Sequence, residues 1–269
     1  AFIEGWSSNR KCYLFEYSVM YMGGTLRRIV LGLSFALLLL GIVVLSVQIR
    51  PFKAMGTYYA NQTIYIRADG SIDPPTAPIQ RQGDSYTLTD NISNYNMVDG
   101  IMVERDNVVF DGAGFSFWGY GWLGGFKRGA VLTDRSNVTI SNTQFDGWGR
   151  GIYVKNCSGI RIIGNNVTSS YDYGIEFVDS YSSAVYGNNL RGTAYNLIGL
   201  GNSSNNMFYH NNLMDRDRQP VYNATSNATS CINSWDNGFE GNYWGNYSGT
   251  DSNDDGIGDV SYVIDANNR

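Results

Sequence analysis

The chain has 269 residues, among them 32 Gly, 28 Asn and 20 Tyr, against 16% charged residues, four Lys and a single His. That composition excludes a helical bundle, which needs Ala, Leu, Glu and Lys at a 3.6-residue period, and suits one β-rich domain with a sizeable core. The formal charge is −5, and beyond position 50 it is −8, from 14 basic and 22 acidic residues; this argues against nucleic acid as a partner, because phosphate backbones are bound through Lys and Arg.

Residues 1–21 read as an upstream segment without structure. Met22, followed by Gly-Gly-Thr-Leu-Arg-Arg, reads as the start of a secretion signal. Residues 29–47 are a 19-residue run without a charge, long enough for a helix that spans a bilayer, with a buried core helix as the bland reading. Arg27 and Arg28 precede the run, so the positive-inside rule puts the N-terminus in the cytoplasm and everything after Gln48 outside. Residues 22–50 are then either a cleaved signal peptide, with Val44 and Ser46 at −3 and −1, or a retained membrane anchor. Nine N-x-S/T sequons, starting at Asn61, Asn91, Asn137, Asn156, Asn166, Asn202, Asn223, Asn227 and Asn246, fit an exported glycoprotein or the chance yield of an Asn-rich chain. Cys157 and Cys231 are either an exported pair or two buried thiols.

Residues 51–99 read as a linker and N-terminal cap strands, the latter at 63–67 and 85–88. Residues 100–232 are organised by a repeat. Gly129-Ala-Val-Leu, Gly151-Ile-Tyr-Val, Gly174-Ile-Glu-Phe and Leu197-Ile-Gly-Leu recur at spacings of 22, 23 and 23, and Gly100-Ile-Met-Val precedes them. Asn165, Asn188 and Asn211 recur at 23. Each repeat holds three short apolar clusters of strand type, broken by Gly, Asn or Ser and none of helix length. Three short strands per repeat predict one rung of a parallel β-helix, stacked at about 4.8 Å. The recurring Asn then form a ladder of side-chain amides inside one turn. Residues 233–269, dense in Gly, Asn and aromatics, close the far end, where an open strand edge would otherwise be exposed.

Two features on this scaffold could carry a ligand. An aromatic insertion holds Trp118, Tyr120 and Trp122, and the loops after the Asn ladder add Trp148, Tyr171, Tyr173 and Tyr195. Such rings stack on sugar faces when exposed, or fold over the coil as a small core of their own. The same loops bring Asp146, Asp172, Arg191 and Asp215 toward one side of the solenoid. These are the carboxylates and guanidinium that a polysaccharide lyase or hydrolase needs, or an ordinary solvated stripe of salt bridges. In the cap, Asp251, Asn253, Asp255 and Asp259 follow D-x-N-x-D-G-x-x-D, with the Ile257 carbonyl at position 7. Hard oxygen ligands at alternate positions predict a weak Ca²⁺ loop, since Tyr262 stands where an EF-hand has its bidentate acid, and a metal-free acidic turn is the alternative.

The entry motif Thr63-Ile-Tyr-Ile-Arg-Ala-Asp-Gly-Ser-Ile-Asp-Pro, the rungs, and the closing Asn233-Ser-Trp-Asp-Asn-Gly-Phe-Glu-Gly-Asn-Tyr-Trp with its acidic loop resemble the NosD-like family of the pectin-lyase-like superfamily, in its archaeal exported form. The resemblance covers residues from about 60 to the end. It implies an all-β, right-handed parallel β-helix, here preceded by one hydrophobic N-terminal helix, and it implies periplasmic copper binding. Copper requires imidazole, thiolate or thioether donors, and the exported part offers His210, Cys157, Cys231, Met97, Met102, Met207 and Met214. The superfamily also includes carbohydrate-binding proteins and polysaccharide-cleaving enzymes, and fold alone does not decide among these. The expectation is an exported or cell-surface module that contacts glycans or other surface components, membrane-tethered if its N-terminal segment is retained. A polysaccharide lyase or hydrolase and a copper-delivery protein are the alternatives.

Overall fold

Short clusters of Ile, Val, Leu and Phe alternate inward and outward only as strands, and the Gly and Asn between them turn the chain after three to six residues. The computed structural model describes residues 57–94, 98–120, 127–215, 220–224, 231–252 and 258–265. In these the clusters become three sheets, which we call A, B and C, of eight, eight and seven strands. One rung runs from sheet B to C to A: Arg150–Lys155, Arg161–Ile163 and Asn166–Thr168. The next is Tyr173–Val178, Ala184–Tyr186 and Asn189–Arg191. Each strand pairs in parallel with its counterpart one rung on, as Ile152 with Ile175 and Ile198, and Val167 with Leu190 and Leu213. This is the parallel β-helix expected from the repeat. The apolar run of residues 29–47 lies outside the described residues, and among the described ones no helix is long and apolar enough to cross a membrane.

Residues 57–94, expected as linker and cap strands, already belong to the coil. Thr57–Ala60 pairs in parallel with Asn91–Asn94, and Ile64–Ile66 with Ile101–Val103. Ile64–Ile66 turns back antiparallel on Ile72–Asp73, and Ile79–Gln82 on Ser85–Leu88, so the first rung does not present bare edges.

The interior is a stack of columns. Ile64, Ile101, Ala130, Ile152, Ile175, Ile198 and Val221 form one on sheet B, and Tyr86, Phe110, Ile140, Ile162, Val185 and Phe208 form one on sheet C, all almost fully buried. Burying each such side chain contributes about 1.5–3 kcal/mol, which a lone rung cannot collect.

Polar ladders hold two of the three corners. At the corner between sheets C and A, Asn165 Nδ2 donates to Asn188 Oδ1 at 3.1 Å, Asn188 Nδ2 to Asn211 Oδ1 at 2.9 Å, and Asn211 Nδ2 to Asn242 Oδ1 at 2.9 Å. Asn242 extends the predicted ladder into the cap. The corner between B and C carries a second series: Cys157 N donates to Ser180 Oγ, Ser180 N to Ser203 Oγ, and Ser203 N to Cys231 Sγ. Both cysteines are therefore buried ladder members outside any disulfide, and they stand three rungs apart. About 14 Å of stacking separates them, too far for a disulfide.

Candidate functional site

Among the described residues, the corner between sheets A and B has no such side-chain ladder, and alternate residues of the strands that follow it lie on the outer side of sheet B. A glycine column sets the geometry: Gly129, Gly151 and Gly174 begin successive rungs so closely stacked that a Cβ on Gly151 would meet Gly174 O at 2.6 Å and Val167 Cγ1 at 2.3 Å. The residues flanking that column lie on the outer side of the sheet in register, exposed to different degrees. Arg128, Arg150, Tyr173 and Asn196 form one row, and Tyr153, Glu176, Gly199 and Tyr222 a second.

Arg150 ties these rows together. One of its Nη atoms lies 2.8 Å from Asp172 Oδ2, and its Nε faces Glu176 Oε2. Its guanidinium and that of Arg128 lie 5.6 and 5.0 Å from the Tyr153 ring centroid. Arg128 in turn is held by Asp99 at 2.6 Å. Burial pushes the carboxyls of Glu176 and Asp172 above their ordinary range, although Arg150 pulls both down. Burial, reinforced by the negative charge of Asp172 and Glu176, pushes the Tyr173 phenol up to about 12. Its ring covers Gly199, where a Cβ would come within 2.9 Å, and stacks on Tyr222 with centroids 6.3 Å apart. On the adjoining turn Tyr171 and Tyr195 meet edge to face at 6.4 Å and are 44% and 54% exposed.

The residues singled out from the sequence divide. Asp172, Tyr171, Tyr173 and Tyr195 lie on this face. Trp148, expected among the exposed rings, is instead in the core: it is 1% exposed, packs edge-on against Phe117 and donates its Nε1–H to Phe117 O. The glycines around it explain this, since Gly119 and Gly100 leave the room its ring fills. Trp118 pairs in register with Asp146 on sheet A, and Tyr120 is about half exposed beyond it. Trp122 lies outside the described residues.

The four expected catalytic groups do not converge. Asp146 accepts from Thr168 Oγ1 at 2.8 Å, and Arg191 follows Thr168 in the same sheet A column, about 10 Å along the axis from Asp146. Asp215 comes after the last sheet A strand of the coil, beside Gly245 of the cap. Only Asp172 finds a charged partnership on the sheet B face. Arg150 and Glu176 were not singled out, but the signal for Glu176 was in the repeat: Tyr153, Glu176, Gly199 and Tyr222 recur at 23 residues, just past the Gly-Ile pairs.

For metals, Asp259 Oδ2 accepts from Thr250 Oγ1, Ser252 N and Ser252 Oγ, which holds its carboxyl below the usual range. Asn253, Asp255 and Ile257 of the calcium-type loop lie outside the described residues, as does Met97. The copper donors do not assemble among the described residues. His210 Nδ1 is bonded to Glu240 at 2.7 Å. Cys157 is buried with its thiol pKa raised by burial, and Cys231 is a ladder acceptor. No group of three or more His, Cys, Asp or Glu able to hold a metal occurs among the described residues.

A family model described as periplasmic copper-binding protein (NosD) matches residues 55–249. No curated protein and no solved structure matches the chain.

Proposed function

The chain belongs to the NosD family, and from that premise we propose that it is an envelope β-helix that binds a glycan chain along the outer face of sheet B. The observation that carries this is the exposed pair Tyr171 and Tyr195 beside Tyr173, Tyr222 and the Arg150–Asp172–Glu176 cluster. Flat rings on a rigid sheet stack against sugar rings at little entropic cost, and the buried charged cluster offers oriented donors and acceptors to hydroxyl groups. Because Arg128 and Arg150 are already held by Asp99, Asp172 and Glu176, the face suits a neutral glycan better than a polyuronate. The periplasmic location and the copper binding are what the family description says. The location is consistent with reading residues 29–47 as an export segment. For the copper, no group of three or more His, Cys, Asp or Glu that could hold it occurs among the described residues.

Glycan-array binding tests this. We expect wild-type protein to retain neutral oligosaccharides and the Tyr171→Ala, Tyr195→Ala double variant to lose at least about tenfold in affinity. Unchanged binding by that variant would overturn the assignment to this face. A cleavage reading rests on the two carboxyls of Glu176 and Asp172 flanking Arg150 on this face, both raised by burial above the ordinary carboxylate range. New reducing or unsaturated ends, abolished in Glu176→Gln, would establish it.

A further inference from the structure

A second concave site lies at the opposite end of the coil from the N-terminal cap. There the last rung and the segments of residues 235–251 and 258–262 border an open cleft of about 890 Å³, within the range of small-molecule sites. One side of it is aromatic. Trp244 lies flat on Tyr262 with centroids 4.1 Å apart and planes at 5°. Trp235 tilts against Trp244 at 5.7 Å and is itself stacked on the core ring of Phe208 at 4.5 Å, so the platform is anchored to the column beneath it.

The remaining lining is mostly Gly, Asn and Tyr, with three carboxylates among them. Asp236, Glu240 and Asp251 contribute carboxylates, and among the described residues neither Lys nor Arg lines the cavity. His210 is the sole candidate for positive charge there, and its ring is engaged by Glu240.

The rim is rigid where a chain end would be expected to fray. Phe239 is 91% exposed, yet its loop is pinned: Gly238 N donates to Asp236 Oδ1 at 2.8 Å, and Phe239 N and Glu240 N donate to Asn237 Oδ1 at 2.9 and 2.8 Å. The rung beneath holds the loop as well, through His210 N to Gly241 O at 2.6 Å. His210 adopts φ 53° at a turn position filled by Asn142, Gly164 and Gly187 on earlier rungs. An exposed Phe on a backbone with little freedom left to lose is a contact residue rather than a loose tip.

We propose that this cavity binds an organic ammonium group. Aromatic faces attract cations, and three carboxylates supply the counter-charge while repelling uronates and phosphates. Two sources share that chemistry: a small quaternary ammonium compound and the amino sugar of a glycan. Calorimetry with the full chain carrying Tyr171→Ala and Tyr195→Ala, which silences the sheet B face, distinguishes them, using choline chloride, a glucosamine oligosaccharide and its N-acetylated counterpart of equal length. Binding of choline alone assigns the site to small cations, and binding of the glucosamine oligomer alone assigns it to sugar-borne amines; either supports the proposal. In both cases Phe239→Ala and Glu240→Gln should each weaken binding about five- to tenfold. Both residues are exposed, so the urea midpoint should stay unchanged and serve as the fold control. The proposal is overturned if neither cation binds, if the N-acetylated oligomer binds as well as the amine, or if both variants bind like wild type. None of these results depends on Tyr171 or Tyr195.

Discussion

The corner between sheets C and A and the corner between sheets A and B solve the same problem, turning the chain once per rung, in opposite ways. At the first, Asn165, Asn188, Asn211 and Asn242 repeat one side chain, and each amide bonds the next. At the second, the successive turns carry Trp148, Ser170 and Thr193 on the inside, and Ser170 Oγ and Thr193 Oγ1 are buried with no hydrogen-bond partner. The stack tolerates sequence change where no ladder must be kept in register. That corner is also where Tyr171, Asp172 and Tyr195 reach the surface beside sheet B. Repetition marks what holds this coil together, and departure from repetition marks where it can acquire a ligand.

The sharpest break of this contrast is Asn188→Ala. Asn188 Oδ1 accepts from Asn165 N and Nδ2, and its Nδ2 donates to Ile162 O, Tyr186 O and Asn211 Oδ1. Truncation leaves several of these buried groups unpaired at about 1–3 kcal/mol each. Urea denaturation should show a loss of about 4 kcal/mol or more, and a loss under about 1 kcal/mol would show that the ladder is ornamental.

Next in size is Arg150→Ala on the outer face. It leaves Asp172 and Glu176, whose side chains are 10% and 15% exposed, without their guanidinium. Removing one partner from so enclosed a cluster costs about 2–4 kcal/mol at pH 7. The deficit should shrink in acid, as both carboxyls take up protons and no longer need the cation.

These two positions also show what was legible in the sequence. Asn188 was, because a 23-residue spacing of one polar residue has few physical explanations other than a stacked turn. The Cys–Ser ladder was not, because Cys157, Ser180, Ser203 and Cys231 share a role, a small polar side chain that accepts a backbone N–H, but not an identity. Trp148 misled for a related reason: its loop resembles those of Tyr171 and Tyr195 along the chain, yet Gly100 and Gly119 open a pocket that draws this ring inward. The Arg150–Asp172–Glu176 cluster needed the register of two adjacent rungs, which spacing alone does not turn into a contact. The cavity by the cap depends on loops outside the repeat, for which periodicity carries no information.

A pH titration of stability sharpens the outer-face half of the comparison with a smaller effect. The folded-state pKa values of Glu176 and Asp172 are raised by burial above the ordinary 4.5 and 3.8. The folded chain therefore holds these protons more tightly than the unfolded chain does. Their contribution is fully present below the ordinary values and is lost as pH rises through the raised ones. Wild-type stability should fall across that window, and Glu176→Gln, which is neutral at every pH, should flatten the decline. An unaltered pH profile in the variant would mean that Glu176 ionises as a solvated carboxylate.

The smallest expected effect tests the permissive corner itself. Ser170 and Thr193 bury hydroxyls without partners, so they contribute desolvation cost and no bond. Ser170→Ala and Thr193→Val remove that cost at nearly constant volume. Each should leave the urea midpoint unchanged or raise it, within about 1 kcal/mol, and should leave the glycan binding proposed for Tyr171 and Tyr195 intact. This is the opposite sign from Asn188→Ala, although all three substitutions delete a buried polar group at a turn. If Ser170→Ala instead destabilised the chain as the ladder substitution does, the corner would hold a partner for that hydroxyl, and its freedom to vary from rung to rung would need another cause.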